Sequence, residues 1–266
     1  MRPQLQYYKD RCLDCGKCVD LCPNHVHSMQ NKTPPWGKPE HSLDRKSCSA
    51  CGVCANECIG NALVISGRGE SIEEVMRQVL DDKPYYDESG GGVTLSGGEP
   101  VLQGDFCEAL LKSCRDEGIH TNIQTAGFYD FELLDRLLPF LDLVMYDIKG
   151  MTPEIHNQYV HNDSGLALDN LMRLDKKGIP VIVRMPCVKG VNDSPGEIEA
   201  AAKMLSGLRH LEYFSILPCH NLAKVKYDIL GMEFKLFEPP LKEQIQKLEL
   251  LAARYVKVYN PEVGFL

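Results

Sequence analysis

No stretch of this 266-residue chain approaches the roughly 20 consecutive apolar residues that a membrane span needs. The opening Met1-Arg2-Pro3-Gln4-Leu5-Gln6 also lacks the apolar core of a signal peptide. Both absences predict a cytoplasmic protein with no membrane partner. Basic charge is in the minority: 29 Lys and Arg stand against 37 Asp and Glu, a net charge of −8. Neutralising a phosphate backbone takes clustered Lys and Arg, and no basic stripe is present, so no nucleic-acid partner is expected. What remains is a globular chain, 44% hydrophobic, long enough for one large domain and one small one.

Cysteine is plentiful. Of twelve, eight fall in two runs of identical spacing: Cys12-x2-Cys15-x2-Cys18-x3-Cys22, followed by Pro23, and Cys48-x2-Cys51-x2-Cys54-x3-Cys58. Reducing cytoplasm favours metal ligation over disulfides. The spacing is that of bacterial ferredoxins, in which three close thiolates hold one [4Fe–4S] cluster and the fourth crosses to the other. On that rule Cys12, Cys15, Cys18 and Cys58 hold one cluster, and Cys48, Cys51, Cys54 and Cys22 the second. Zinc ribbons or disulfides are the competing explanation, and the duplication weighs against both. Oxygen-labile clusters suit an anaerobic setting.

Residues 1–11 read as an aperiodic lead-in, residues 12–67 as a ferredoxin-like 2[4Fe–4S] domain with a Pro/Gly-rich connector from Asn31 to Pro39, and residues 68–266 as an α/β domain. Ala62 to Ile65 closes the first domain as a strand. Ser71 and Glu74 form a capping box for a helix reaching about Asp82. Strands are then predicted at Val93–Ser96, 120–125, Leu141–Ile148, Val181–Met185 and Tyr213–Leu217. Between them lie helices at about 104–117, 130–138, 152–159, 165–177 and 195–206. A long loop follows, then a helix that starts after Pro239-Pro240 and ends near Arg254, and a short strand, Tyr255–Tyr259. Alternation of this kind means a parallel sheet with right-handed crossovers, with ligands at the carboxyl ends of its strands; closure into a barrel is not readable from periodicity.

Those strand ends carry Gly97-Gly98-Glu99, Thr125-Ala126-Gly127, Asp147-Ile148-Lys149, Arg184 and Pro218-Cys219-His220. Gly-Gly after a strand is usually a turn, but it also admits a ligand close to the backbone, and Glu99 offers a partner to an ammonium group. Asp147 and Lys149 point to one side, as an ion pair or as two ligand contacts. Arg184 interrupts an apolar strand and needs an anionic partner. A lone His220 is most simply a satisfied loop histidine. Cys107 and Cys114, on one helix face, and Cys187 read as buried thiols.

Thr94-Leu95-Ser96-Gly97-Gly98-Glu99-Pro100, Asp147-Ile148-Lys149 and Leu217-Pro218-Cys219-His220-x3-Lys224-x2-Tyr227, in this order, resemble the glycyl-radical enzyme activating enzymes of the radical S-adenosylmethionine (SAM) superfamily, in the form that carries an inserted two-cluster ferredoxin domain. The resemblance implies a partial (β/α) barrel. It implies a radical SAM oxidoreductase activity as well: reductive cleavage of SAM to a 5′-deoxyadenosyl radical that takes a hydrogen atom from a glycine of a partner enzyme. It implies that Gly97, Gly98 and Glu99 contact the methionine amino group, that Asp147, Ile148, Lys149 and Arg184 belong to the SAM site, and that His220 reaches the adenosine side. The implied partners are a glycyl-radical enzyme and a flavodoxin or ferredoxin-type electron donor. Cys219, Gln124 and Ile59 stand where relatives often have Tyr, an acid and Pro.

The family's C-x3-C-x2-C run, whose three thiolates leave one iron open for SAM, is not found in these residues. The expectation is therefore a chain missing the first barrel strand and its cysteine loop, inactive as it stands, with a third cluster only in a full-length form and no catalytic residue of its own. The alternatives are an iron–sulfur electron-transfer protein or an inactive member of the same family. The motifs do not identify which glycyl-radical enzyme is the partner.

Overall fold

The computed structural model describes residues 3–30, 39–162 and 164–266, so most of the connector expected from Asn31 to Pro39 lies outside the described residues. Two compact units are present: Met1–Gly69 with Asn221–Leu236, and Glu70–His220 with Phe237–Leu266.

The first unit is a repeat with an offset of 36 residues, which follows from its bounds. Strands β1 (Gln4–Tyr7) and β3 (Glu40–Leu43), helices Lys17–Leu21 and Val53–Asn56, and strands β2 (His27–Gln30) and β4 (Leu63–Ser66) correspond in turn. β1 pairs antiparallel with β4, and β2 with β3. Residues 4–7, expected in an aperiodic lead-in, are thus a strand. Four residues are too few to show a period, and the partner lies about sixty residues on. Leu5, Cys54 and Leu63 are buried together, and Arg45 donates from Nη1 to Leu5 O and from Nη2 to Ile229 O, both at 2.7 Å. Ile229 belongs to the Lys224–Leu230 helix, which occupies the segment expected as a long loop. None of its residues is buried, so it left no apolar stripe to read.

In the second unit β5 (Gly92–Leu95), β6 (His120–Thr125), β7 (Leu143–Asp147), β8 (Val181–Cys187) and β9 (Leu211–Pro218) form one sheet in chain order, each neighbouring pair parallel. Val144, Tyr146, Val181, Val183, Met185 and Phe214 are essentially inaccessible in its main core. A second cluster of Met76, Leu110, Cys114 and Ile119 receives the Ile72–Asp81 helix. Its capping box is present: Glu74 N–H donates to Ser71 Oγ at 3.2 Å and Ser71 N–H to Glu74 Oε2 at 2.7 Å.

Two local expectations are corrected and one helix is added. The helix expected over 130–138 is Phe131–Asp135 followed by a separate turn, Leu138–Phe140, because Pro139 cannot continue the hydrogen-bond ladder. A further helix, Lys83–Ser89, has Pro84 in its first turn, where the missing N–H costs nothing. The closing strand shrinks to Tyr259–Asn260, paired with Gly264–Phe265, and Val258 makes a single bridge to Phe214. No helix among the described residues is long and apolar enough to cross a membrane.

Candidate functional site

The parallel register sets Asp147 at the end of β7 beside Arg184 on β8. Arg184 donates to Asp147 Oδ1 from Nε at 2.9 Å and from Nη2 at 2.7 Å. Lys149 Nζ, on the same side as alternation requires, reaches Oδ2 at 3.0 Å, and Gln124 Nε2 lies 3.4 Å from that oxygen. Ile148, expected in the site with them, has its side chain in the main core: the alternation that turns Asp147 and Lys149 one way turns Ile148 the other.

Glu99 ends the β5 loop. Its Oε2 accepts from Ala126 N–H at 3.1 Å and from Thr125 Oγ1 at 3.0 Å. Thr125 Oγ1 also lies 2.9 Å from Tyr129 Oη and accepts from Gly127 N–H at 3.1 Å. One hydroxyl hydrogen cannot serve both neighbours, so it goes to the carboxylate and Tyr129 donates. Glu99 Oε1 is buried and has no partner among the described residues. Burial holds the Glu99 carboxyl above the usual range, against the pull of the Ala126, Thr125 and Val101 donors. Ser96 Oγ donates to Gln124 Oε1 at 3.2 Å, which joins the Glu99 loop to the Asp147 group.

Two glycines shape this region differently. Gly97 has φ +125° with open space where a side chain would stand, so backbone conformation alone requires it; at Gly127, φ +77°, a Cβ would collide with Tyr146 Oη. Gly98 and His220 are exposed. Among the described residues, His220 takes no part in the Glu99 or Asp147 networks.

Several supports were not legible in the sequence. Asn170 Nδ2 donates to Gly127 O and Tyr129 O at 3.0 and 2.8 Å. Asn192 Nδ2 holds Lys149 O at 3.0 Å and Pro186 O at 2.7 Å, and Glu197 accepts from Met151 N–H and Thr152 N–H. Ordinary polar residues far apart in sequence give no signal of this kind.

In the first unit, one cavity is lined by Cys12, Cys15, Cys18 and Cys58 and another by Cys22, Cys48 and Cys51, with Cys54 reaching both. The charges felt by Cys54 come from Cys22, Cys48 and Cys51, and those felt by Cys18 from Cys12, Cys15 and Cys58, so Cys54 belongs with the second set. Burial, with neighbouring thiols adding to it, pushes Cys18 and Cys54 up to about 11 each. Ala50 N–H and Ala62 N–H point at Cys48 Sγ and Cys58 Sγ, at 3.4 and 3.3 Å. Backbone in the left-handed region recurs at repeat-related places, Asp14 with Ala50 and His25 with Asn61. Such strain in non-glycine residues is kept where a loop must wrap a ligand. Four thiols per cavity with amide donors turned toward sulfur is a donor set suited to [4Fe–4S]. Cys107, Cys114 and Cys187 are buried in the other unit and line neither cavity.

The description of the radical SAM superfamily matches residues 48–205. The chain belongs to the radical SAM superfamily. A 4Fe-4S dicluster domain description matches residues 11–62, so iron–sulfur clusters and SAM are the cofactors of this family member. The isethionate sulfite-lyase activating enzyme of Desulfovibrio desulfuricans is 34% identical over 241 residues, covering 88% of this chain and 75% of its own. The (2S)-3-sulfopropanediol dehydratase activating enzyme of Klebsiella oxytoca is 34% identical over 243 residues, with 88% and 74% covered. A domain of a pyruvate-formate lyase-activating enzyme from Bacteroides vulgatus superposes with a TM-score of 0.55 at 29% identity, over 63% of this chain and 97% of that one. Within the radical SAM superfamily, the relatives are thus activating enzymes of glycyl-radical enzymes.

Proposed function

We propose that this radical SAM protein activates a glycyl-radical enzyme, binding SAM at the ends of β5 to β8 and presenting it to a glycine loop of the partner. The observation that carries this reading is the buried, unpartnered Oε1 of Glu99 beside a second polar group built on Asp147. An ammonium donor is what that oxygen lacks, and the SAM amino group supplies one. Gly97 and Gly98 let the ligand approach the backbone. Arg184 and Lys149 together carry one positive charge more than Asp147 neutralises, which suits a carboxylate or a ribose hydroxyl. His220, exposed beyond β9, is assigned to the adenosine side.

Residues 12–67, with β1 added, would hold two [4Fe–4S] clusters, on Cys12, Cys15, Cys18 and Cys58 and on Cys48, Cys51, Cys54 and Cys22. Four thiolates close each cluster, so these sites relay electrons from a flavodoxin or ferredoxin-type donor and do not bind SAM. The reading suits a reducing cytoplasm, where thiolates stay available for iron. When bound, SAM and its iron–sulfur cluster supply the radical chemistry; the residues of 68–266 position SAM and exclude water.

The test is calorimetry with SAM on protein expressed from its complete open reading frame and reconstituted anaerobically. Binding that weakens at least tenfold in Glu99→Ala supports the reading. No binding in the wild type rejects it, and leaves electron transfer by the cluster unit as the function.

A further inference from the structure

The 36-residue repeat of the cluster unit is broken at one pair of positions. Leu5 on β1 and Leu63 on β4 are 4% and 3% exposed and belong to the unit's apolar core. Their repeat equivalents, which follow by adding or subtracting 36, are His41 on β3 and His27 on β2. These are buried as deeply, at 7% and 4%. Packing alone is satisfied by leucine, as the other half of the repeat demonstrates. Two buried imidazoles in the same places cost desolvation and need another reason.

Their geometry supplies it. His27 Nδ1 and His41 Nε2 are 2.9 Å apart, with the rings stacked at 5.1 Å between centroids. The outer nitrogens, His27 Nε2 and His41 Nδ1, are buried and have no partner among the described residues. His41 lines the cavity of Cys12, Cys15, Cys18 and Cys58, and His27 lines that of Cys22, Cys48, Cys51 and Cys54. Cys18 Sγ and a ring nitrogen of each histidine lie mutually within 4.8 Å. Each cavity therefore has one of the two repeat-related leucines, Leu63 or Leu5, and one of the histidines in its wall, and the two histidines are joined.

Burial disfavours charge on both rings and outweighs the pull of Asp14 on His41, so the pair is neutral. One hydrogen fills the contact between the rings. If His27 donates it, His41 must carry its own hydrogen on Nδ1 and His27 Nε2 is bare; if His41 donates, the reverse holds. The neutral dyad thus offers one N–H and one lone pair at its two ends.

We propose that the His27–His41 dyad is a polar bridge between the two cluster sites, giving an N–H···S hydrogen bond to the cluster on one side only. A donor to cluster sulfur stabilises the reduced state and raises the potential. The dyad thereby separates the potentials of two clusters whose cysteine ligands are otherwise repeats of one another. One electron enters the favoured cluster, and every hydrogen stays on its nitrogen. The proposal rests on the assignment of clusters to the eight cysteines.

The test uses the full chain after anaerobic reconstitution, with iron and sulfide analysis, redox titration followed by electron paramagnetic resonance, and pulsed spectroscopy of 15N-histidine-labelled, reduced protein. In the wild type we expect two unequal reduction waves and a weak histidine-nitrogen coupling to the reduced cluster. The double variant His27→Leu/His41→Leu, which copies the other half of the repeat, should keep its iron and lose the coupling. Its electron-exchange constant between the clusters should shift at least tenfold, 59 mV for a one-electron couple. An amide donor in His27→Gln/His41→Gln should restore part of the separation. Unchanged waves in an iron-replete leucine variant overturn the proposal. So does a wild-type spectrum with no histidine coupling, or with the strong coupling of an iron-bound imidazole, and these decide it even if the variant fails to load. Wild-type protein that takes up no iron instead rejects the cluster assignment itself, and the dyad's role with it.

Discussion

Arg184 Nε and Nη2 both donate to the same oxygen of Asp147, Oδ1, across the register pair that joins β7 to β8. The other oxygen stays available to Lys149 and Gln124. One carboxylate therefore orients two cations from adjacent strand ends. The Arg184 and Asp147 side chains are 19% and 11% exposed, so the pair is largely withdrawn from water.

Removing the carboxylate charge leaves both cations unopposed. Asp147→Asn should destabilise the second unit by about 3 kcal/mol, the usual cost of breaking a buried pair. Arg184→Met in the same chain should recover part of the loss, because the unpaired guanidinium goes with it. Denaturant unfolding of the four proteins in a double-mutant cycle measures the coupling, and additive effects would contradict the arrangement.

Glu99 predicts a pH dependence. Burial raises its folded pKa above the ordinary 4.5. Between the two values the folded state binds more protons than the unfolded one, so stability contributed by this group falls as pH rises through that window. SAM binding should follow the opposite course, since an ammonium pairs with the carboxylate form. Affinity is expected to rise with pH through the folded pKa and to lose this dependence in Glu99→Gln. Calorimetry across a pH series reads both; a Glu99→Gln profile that overlays the wild type would remove Glu99 from the site.

The two glycines separate conformational strain from collision. Gly97→Ala meets no neighbour, so its cost is the backbone strain of φ +125°, about 1–3 kcal/mol, and its main effect should be on SAM affinity through the loop. Gly127→Ala adds a clash with Tyr146, whose hydroxyl donates to Ala167 O at 2.6 Å in the core. It should lower thermal stability more than Gly97→Ala does. Melting temperatures of the two variants, measured without SAM, give the ordering.

What was legible in the sequence was whatever repeats within a few residues. Ser71 and Glu74 announce a helix because both partners of the cap are local, and the cysteine spacing announces clusters because thiolate ligands come in fixed short steps. Arg184 was readable as a charge breaking an apolar strand, and Asp147 and Lys149 as a pair two apart at a strand end. Residues 4–7 and the Lys224–Leu230 helix were not readable, since each is completed by Arg45, about forty residues from one and over 180 from the other. The cradle of Thr125, Tyr129 and Asn170 is likewise a product of tertiary packing. Nor did His27 and His41 stand out as a pair, because the repeat that makes them anomalous shows only when the strands on either side of each quartet are aligned.

Crossing of the fourth ligand gives a prediction in which sequence proximity and spatial proximity disagree. Cys22 follows Cys18 in the chain, but it lines the cavity of Cys48 and Cys51. Cys58 follows Cys54 and lines the cavity of Cys12 and Cys15. Wild-type protein should carry about eight irons on these two sites, at four per cluster. Cys22→Ser should perturb the cluster whose other ligands are Cys48, Cys51 and Cys54, and Cys58→Ser the other, each bringing these sites toward about four irons. The decisive comparison is with double variants. Cys22→Ser/Cys51→Ser damages one site and should retain one cluster, whereas Cys22→Ser/Cys15→Ser damages both and should retain neither. Ligation within each sequence run would reverse that order, so iron content of the two double variants decides between the arrangements.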